Sequence, residues 1–337
     1  MSNIHALAAS GAREKLQAFS YDPGPLGDEQ VEIEVQYCGI CHSDLSMLNN
    51  EWQIAQFPLV PGHEAIGKVC AVGRSAKLVA QGQTVGLGWN SGSCMSCPPC
   101  LAGDHNMCRV LEQTIVGRHG AFATRVRCHW SWATPIPPAL DSSVAGPLLC
   151  GGITVFNPLV QHHVRPTDRA GVIGIGGLGH MALQFLNKWG CEVTAFTSTA
   201  GKAEEARRMG AHRVVDTHSA AELARVAGSF DFILSTVAAS LDWSQYINAL
   251  APKGHLHLVG VVPTPMELAA FPLIAAQRSV GGSPSGAPGT VATMLEFCAR
   301  HGIWPVTEEF PMSRANEALA HLAAGKARYR VVLKNDL

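Results

Sequence analysis

The chain has 337 residues, of which 47% are hydrophobic and only 15% charged, and 25 Lys and Arg against 26 Asp and Glu leave a formal net charge of −1. That balance excludes a nucleic-acid or membrane surface as the main partner, and the length implies two domains rather than one core. Residues 1–10 lack the basic start and apolar run of a secretion signal, and the apolar stretch 171–190 carries His180, Gln184, Asn187 and Lys188, so neither export nor a membrane span is expected. The expected location is the cytoplasm.

Along the chain, Val31-Glu32-Ile33-Glu34-Val35 alternates apolar and charged residues with the period of a half-buried strand. Residues 65–72 and 83–88 read as further strands separated by Gly and Pro. Together they indicate an antiparallel, barrel-like β domain, interrupted by a cysteine-rich lobe at about 90–110. The proline-rich stretch 135–152, ending in a helical pattern, reads as the crossing to a second domain. From residue 169 the pattern changes. Strands at 170–175, 191–197, 213–215, 230–236 and 255–260 alternate with helices at about 179–189 and 202–209, which indicates a doubly wound parallel sheet. The amphipathic stretch 313–324 belongs to a final segment that returns to the first domain.

Cys94, Cys97, Cys100 and Cys108 follow the spacing C-x2-C-x2-C-x7-C, and short spacers of this kind present successive thiolates to one tetrahedral zinc ion. Disulfides are the competing reading. Close neighbours bridge poorly, and nothing else suggests an oxidising compartment. A nucleic-acid-binding zinc module fails on charge, because no Lys or Arg lies between Cys94 and Cys108. Cys38, Cys70, Cys128, Cys191 and Cys298 read as buried or idle thiols.

Gly174-Ile175-Gly176-Gly177-Leu178-Gly179 follows an apolar strand and opens a helix, the context in which a glycine fingerprint signals a dinucleotide. Gly174 makes the turn, Gly176 admits a pyrophosphate, and Gly179 lets helix and strand pack. Helix N–H groups receive the phosphates. At the tip of the next strand, where an NAD site carries Asp or Glu, stand Thr197, Ser198 and Thr199, with Lys202 close behind. A carboxylate 4 Å from a 2′-phosphate would cost about 4 kcal/mol at an effective dielectric near 20, whereas one neutral hydroxyl bond contributes about 0.5–1.5 kcal/mol. Ser198, Thr199 and Lys202 can each donate to a phosphate, so NADP(H) is expected. Val259, at the end of the 255–260 strand, is grouped with the cofactor residues.

Cys41, His63 and Cys150 are three zinc-suited ligands scattered in sequence, as in catalytic sites that keep one position open. Their settings, Gly39-Ile40-Cys41-His42-Ser43-Asp44, Pro61-Gly62-His63-Glu64 and Cys150-Gly151-Gly152-Ile153-Thr154, complete a pattern with the lobe and the glycine loop. In this combination and order the chain resembles the zinc-dependent medium-chain alcohol dehydrogenases over nearly its whole length, and most closely their cinnamyl alcohol dehydrogenase branch.

The resemblance implies an α/β protein with a GroES-like antiparallel β-barrel catalytic domain (1–152 and 289–337) and a Rossmann cofactor domain (153–288). It makes Cys41, His63 and Cys150 the catalytic zinc ligands, with Glu64 an acid able to approach the metal. Asp44 orients the liganding imidazole. Ser43 takes the proton from the alcohol. His42 and Arg330 face the pyrophosphate, Thr154 the nicotinamide, and Trp52 and Trp89 line the substrate cleft. Many relatives carry a His three residues after the Ser43 position, and here that position is Ser46. His5, His105, His129 and the pair His162-His163 have no motif around them and read as surface or satisfied core residues.

The expected activity is reversible hydride transfer between NADP(H) and a primary alcohol or aldehyde, with two zinc ions per chain, the catalytic one acting as Lewis acid. The aromatic lining points to aromatic, allylic or medium-chain substrates, and a homodimer is expected, with 280–289 as a pairing segment. A polyol dehydrogenase on the same scaffold is a second reading. A non-catalytic nucleotide-binding relative is a third, opposed by the joint presence of Cys41, Ser43, His63 and Cys150.

Overall fold

The computed structural model describes residues 3–262 and 264–337. The alternation at 31–35 lies within an eleven-residue strand, Gln30–Ile40. Glu32 breaks the expected outward pattern: it is 4% exposed, because Arg125 and Arg127 of the paired strand Arg125–His129 both reach its carboxylate at 2.7 Å. One edge of Gln30–Ile40 pairs with Ala65–Val72, and register shifts at Glu32/Ile33 and Val35/Tyr37 bend the pair. Residues 30–34 also pair with Arg125–His129, and residues 37–40 with Arg330–Lys334. The sheet continues through Thr84–Leu87 and Thr134–Pro135, and on the other side through Thr307–Pro311. It is antiparallel except for the parallel pair Thr307–Pro311 and Arg330–Lys334, which are linked across the helix Ala315–Ala323. Val31, Ile33, Ile66, Val85 and Phe122 are fully buried in this unit.

The chain divides into two compact units, Met1–Ile153 with Ser285–Leu337, and Thr154–Pro284. The second holds a six-stranded parallel sheet in the order Arg213–Asp216, Glu192–Thr197, Arg169–Ile173, Phe230–Ser235, Leu250–Leu258 and Ser279–Gly282. In sequence terms that order is 3-2-1-4-5-6, whose reversal between first and fourth strands is where such sheets bind ligands. Gly174 follows the first strand at that point, and the helix Gly179–Trp189 starts five residues later. The proline-rich crossing proves to include the helix Gly151–Gln161, with Pro158 inside it. Short helices at Ala220–Arg225, Trp243–Ala249 and Ala270–Ala276, and a longer one at Pro288–His301, add to those expected. Among the described residues, no single helix is long and apolar enough to cross a membrane.

Candidate active site

The long strand Gln30–Ile40 delivers Cys41 to the start of the helix His42–Leu48, where Cys41 is the N-cap residue. Asp44, one turn in and fully buried, accepts the Cys41 N–H at Oδ2 (2.9 Å). Its Oδ1 accepts the Gly62 N–H (2.9 Å) and the His63 Nδ1–H (3.0 Å). One carboxylate thus caps a helix, fixes the turn before His63 and sets the tautomer of that ring. His63 is completely buried, and its Nε2 has no hydrogen-bond partner. An unpaired ring nitrogen in a protein interior is costly, which points to a ligand at that position.

Cys150 Sγ lies 3.8 Å from Cys41 Sγ, and the donor atoms of Cys41, His63, Glu64 and Cys150 all fall within 4.8 Å of one another. Two sulfurs on a tetrahedral zinc with Zn–S of about 2.3 Å are separated by about 3.8 Å, so the donor set fits that ion. Donation from the Cys150 thiol holds Cys41 well below the usual thiol range, and the same bond pushes Cys150 up. Cys41 is thus disposed toward the thiolate, whereas Cys150 gives up its proton only as a cation takes its place.

Glu64, the fourth member of the cluster, is fully buried. Its Oε1 accepts from Arg330 Nη2, which also donates to the Ile40 carbonyl at 3.2 Å, and its Oε2 has no partner. Burial lifts the Glu64 carboxyl above its ordinary range despite Arg330. The carboxylate has room because residue 39 is glycine: a Cβ there would sit 2.0 Å from Glu64 Oε2. Arg330, expected at the pyrophosphate, is therefore engaged with Glu64.

Ser43 Oγ is 3.7 Å from Cys41 Sγ, and His42 on the same turn is exposed. Ser46 is buried and donates to Glu51 Oε2 at 2.7 Å, so the hydroxyl that replaces the relay histidine points to a carboxylate. The rings of Trp89 and His63 meet in a T-shaped contact with centroids 4.9 Å apart, and Trp52 meets Trp89 in another at 5.9 Å. Leu149, Ile153, Ser285 and Val291 line a small cleft with Trp89. The sequence gives none of these four a role, although Ile153 lies within the Cys150–Thr154 motif and Leu149 adjoins it.

In the lobe, Cys94 Sγ is 3.5 Å from Cys108 Sγ and 4.0 Å from Cys100 Sγ, and Cys97 Sγ is 3.9 Å from Cys108 Sγ. These separations suit a tetrahedral zinc ion, and all eleven cysteines are unbridged. Backbone N–H groups of Ser96 and Cys97 bring Cys94 down to about 6. Burial alone or foremost pushes Cys128, Cys191 and Cys298 up to about 12, as befits idle thiols.

In the second unit, Gly174 adopts φ +84° and a Cβ on Gly179 would lie 1.9 Å from the Gly174 carbonyl oxygen. Gly176 has no atom within 4 Å of its would-be Cβ, an open face toward which a phosphate can approach. Gly177 and Leu178 complete the loop, Leu178 as the helix N-cap residue. Two residues to which the sequence alone assigns no site role pin it: Thr236 Oγ1 donates to the carbonyls of Ile173 and Gly174, and His180 Nδ1 lies 3.0 Å from the Gly176 carbonyl. Ser198 and Thr199 are exposed at the tip of Glu192–Thr197, and Lys202 Nζ donates to the Ile175 carbonyl at 2.9 Å. Val259 bonds to the Ser235 carbonyl at the end of its strand, and Thr154 is half-buried in the helix Gly151–Gln161.

The family model described as alcohol dehydrogenase GroES-like domain matches residues 27–138, and that of zinc-binding dehydrogenase matches residues 177–300. The chain is 56% identical over 333 residues to aldehyde reductase AdhA of Synechocystis sp., covering 99% of each. It is 35% identical to a probable cinnamyl alcohol dehydrogenase of Oryza sativa subsp. japonica, over 97% of this chain and 92% of that one. Among solved structures, a cinnamyl alcohol dehydrogenase of Sorghum bicolor superposes with a TM-score of 0.94 at 35% identity, over 99% of this chain and 98% of that one. A Helicobacter pylori cinnamyl alcohol dehydrogenase complexed with NADP(H) superposes with a TM-score of 0.90 at 28% identity, covering 98% of each. With this ligand cluster, this lobe and this glycine loop in one chain, the protein belongs to the zinc-dependent medium-chain alcohol dehydrogenases, in their cinnamyl alcohol dehydrogenase-like branch.

Proposed function

We propose that this alcohol dehydrogenase/aldehyde reductase transfers hydride reversibly between NADP(H) and aromatic, allylic or medium-chain primary alcohols and aldehydes, with Cys41, His63 and Cys150 holding the catalytic zinc and Cys94, Cys97, Cys100 and Cys108 the structural one. The observation that carries this reading is the buried, partnerless Nε2 of His63 beside two sulfurs 3.8 Å apart. When bound, zinc supplies Lewis acidity and the dinucleotide supplies or accepts hydride.

The residues around these groups have separable tasks. Asp44 keeps His63 in the tautomer whose Nε2 lone pair faces the cysteines. Arg330 balances Glu64 so that the cluster does not carry an unpaired buried carboxylate. Ser43 is the hydroxyl that exchanges a proton with the substrate oxygen, and Ser46 with Glu51 offers no imidazole to carry it further. Trp52 and Trp89 give flat apolar surface for a planar or extended substrate.

The cofactor preference rests on charge. Thr197, Ser198 and Thr199 leave the strand tip without a carboxylate, and Lys202 stands over the loop at Ile175. A phosphate on the ribose meets donors there and no like charge. Relatives named as NADP-dependent alcohol dehydrogenases in Mycolicibacterium smegmatis, 34% identical over 99% of this chain, support the same reading.

A homodimer in the cytoplasm is part of this reading; among the described residues the strand Ser279–Gly282 ends the parallel sheet, and Phe271 and Ile274 shortly before it are 77% and 73% exposed, which supports pairing there. Neither a nucleic acid nor a membrane is proposed as partner. The test is a substrate and cofactor panel on metal-assayed protein. Higher kcat/KM with NADPH and cinnamaldehyde or benzaldehyde than with NADH, ethanol or polyols is the expected outcome. A preference for polyols with NADH would favour the polyol dehydrogenase reading.

A further inference from the structure

Three histidines of the parallel-sheet unit meet in a cluster that contains none of the cysteines. His162 follows the helix Gly151–Gln161, and His255 and His257 are alternate residues of Leu250–Leu258, so both present their rings to one face of the sheet. Ring nitrogens of all three lie within 4.8 Å of one another. His257 is fully buried and the other two are half-buried. The sequence reading of His162 as a surface or satisfied core residue fails here: its Nε2 is buried and has no hydrogen-bond partner.

Plain packing is the alternative, since the His162 and His255 rings stack at 3.9 Å beside Phe232. Three features go beyond packing. His255 Nε2 and His257 Nδ1 are 3.2 Å apart, close to the edge of about 3.3 Å expected of two nitrogens on a tetrahedral zinc with Zn–N near 2.0–2.1 Å. The far nitrogen of each ring is held by a hydroxyl, His255 Nδ1 by Ser279 Oγ at 2.7 Å and His257 Nε2 by Ser283 Oγ at 2.9 Å. Liganding imidazoles are oriented by such outer hydrogen bonds, each ring giving away the N–H it does not need. The third feature is the orphaned His162 nitrogen. Residue 281 is glycine, and a Cβ there would lie 3.2 Å from His255 Cε1, so the bare backbone leaves this ring its place.

We propose that His162, His255 and His257 form a third metal site, which takes a borderline divalent cation such as zinc, cobalt or nickel through three imidazoles and leaves a fourth position to water. Imidazole nitrogen suits these ions. Binding requires His162 to turn out of its stack on His255, while the other two rings need move little. Burial foremost brings His255 down to about 4 and His257 to about 3, and it lowers His162 as well, so protons do not compete for these nitrogens at neutral pH. A cation here joins the end of a helix to the strand beneath it and so stabilises the folded unit by mass action.

The test uses tag-free holoenzyme already loaded at its cysteine sites, dialysed against excess zinc and assayed by mass spectrometry. Wild type is expected to hold one equivalent more than H162Q or H255Q, and to gain melting temperature with added zinc where H162Q does not. H162Q, altered at a half-buried ring beyond a helix end, remains informative if H255Q folds poorly. Cobalt added to the zinc-loaded protein should give a weak visible d–d spectrum without the intense near-ultraviolet band of cobalt thiolates. Equal metal content in wild type and H162Q, or a cobalt spectrum with the thiolate band, overturns the proposal. Neither result bears on the cysteine–histidine site, whose zinc is counted before dialysis.

Discussion

Asp44 Oδ1 lies 3.0 Å from His63 Nδ1, and both side chains are fully buried. The same carboxylate holds the Cys41 and Gly62 backbone N–H groups, so one residue positions two of the proposed zinc ligands. Asp44→Asn replaces Oδ2 by an NH2 that faces the Cys41 N–H donor. Zinc affinity at the catalytic site should fall about 10–100-fold, read by competition with a chromogenic chelator, while lobe zinc stays bound. Unchanged catalytic-zinc affinity would remove Asp44 from this role.

The strand tip at Ser198 governs the dinucleotide. Ser198→Asp places a carboxylate where the added phosphate of NADP(H) would sit, a repulsion of about 4 kcal/mol at 4 Å. At 1.36 kcal/mol per tenfold, kcat/KM for NADPH should drop about 10³-fold, and that for NADH should hold or rise. Equal losses with both cofactors would place the phosphate elsewhere.

Trp52 meets Trp89, whereas Trp89 is the ring against His63, so Trp52 stands one residue further from the metal ligands and separates substrate packing from metal binding. Trp52→Ala should lower kcat/KM for cinnamaldehyde about 10-fold or more, an aromatic contact being worth about 0.5–1.5 kcal/mol beyond area burial. Acetaldehyde should be little affected. A uniform loss across the panel would assign Trp52 to structure alone.

Glu32 ties the first unit to pH. Burial opposes its ionisation, but Arg127 and then Arg125 outweigh it and hold the carboxyl below its ordinary range. A carboxyl depressed in the fold contributes stability that is complete above the unfolded value near 4.3 and lost as pH falls through the folded one. Chemical denaturation of Glu32→Gln at pH 7 should show a loss of about 2–3 kcal/mol, below the 3–5 of a fully buried pair because both arginines keep some contact with water. The gap between variant and wild type should narrow on acidification below about pH 4.

What the sequence made legible follows from how local each signal is. The lobe spacing, the glycine loop and the strand 65–72 each lie within a short stretch, and the structure places them as the pattern implies. Glu32 looked like a surface charge because its partners, Arg125 and Arg127, lie more than ninety residues away on a paired strand. The family resemblance puts Arg330 at the cofactor, yet Glu64 claims it through a contact 266 residues apart. The histidine cluster was invisible for a further reason. His255 and His257 show the period of any strand, and His162 joins them only because helix Gly151–Gln161 ends over that face.

The cysteine lobe is closed at its neck by the short ladder Asn90–Gly92 with Glu112–Gln113, and two of its asparagines grip one distant serine: Asn90 Nδ2 bonds to Ser285 Oγ and Asn106 Nδ2 to the Ser285 carbonyl. Ser285 is the point at which the polypeptide rejoins the first unit. Stripping or oxidising the four thiols therefore does more than unravel a surface bulge. It unfastens a clasp on the returning segment, and the resulting slackness would register first as lost conformational order at Pro288–His301, with the catalytic ligands still intact.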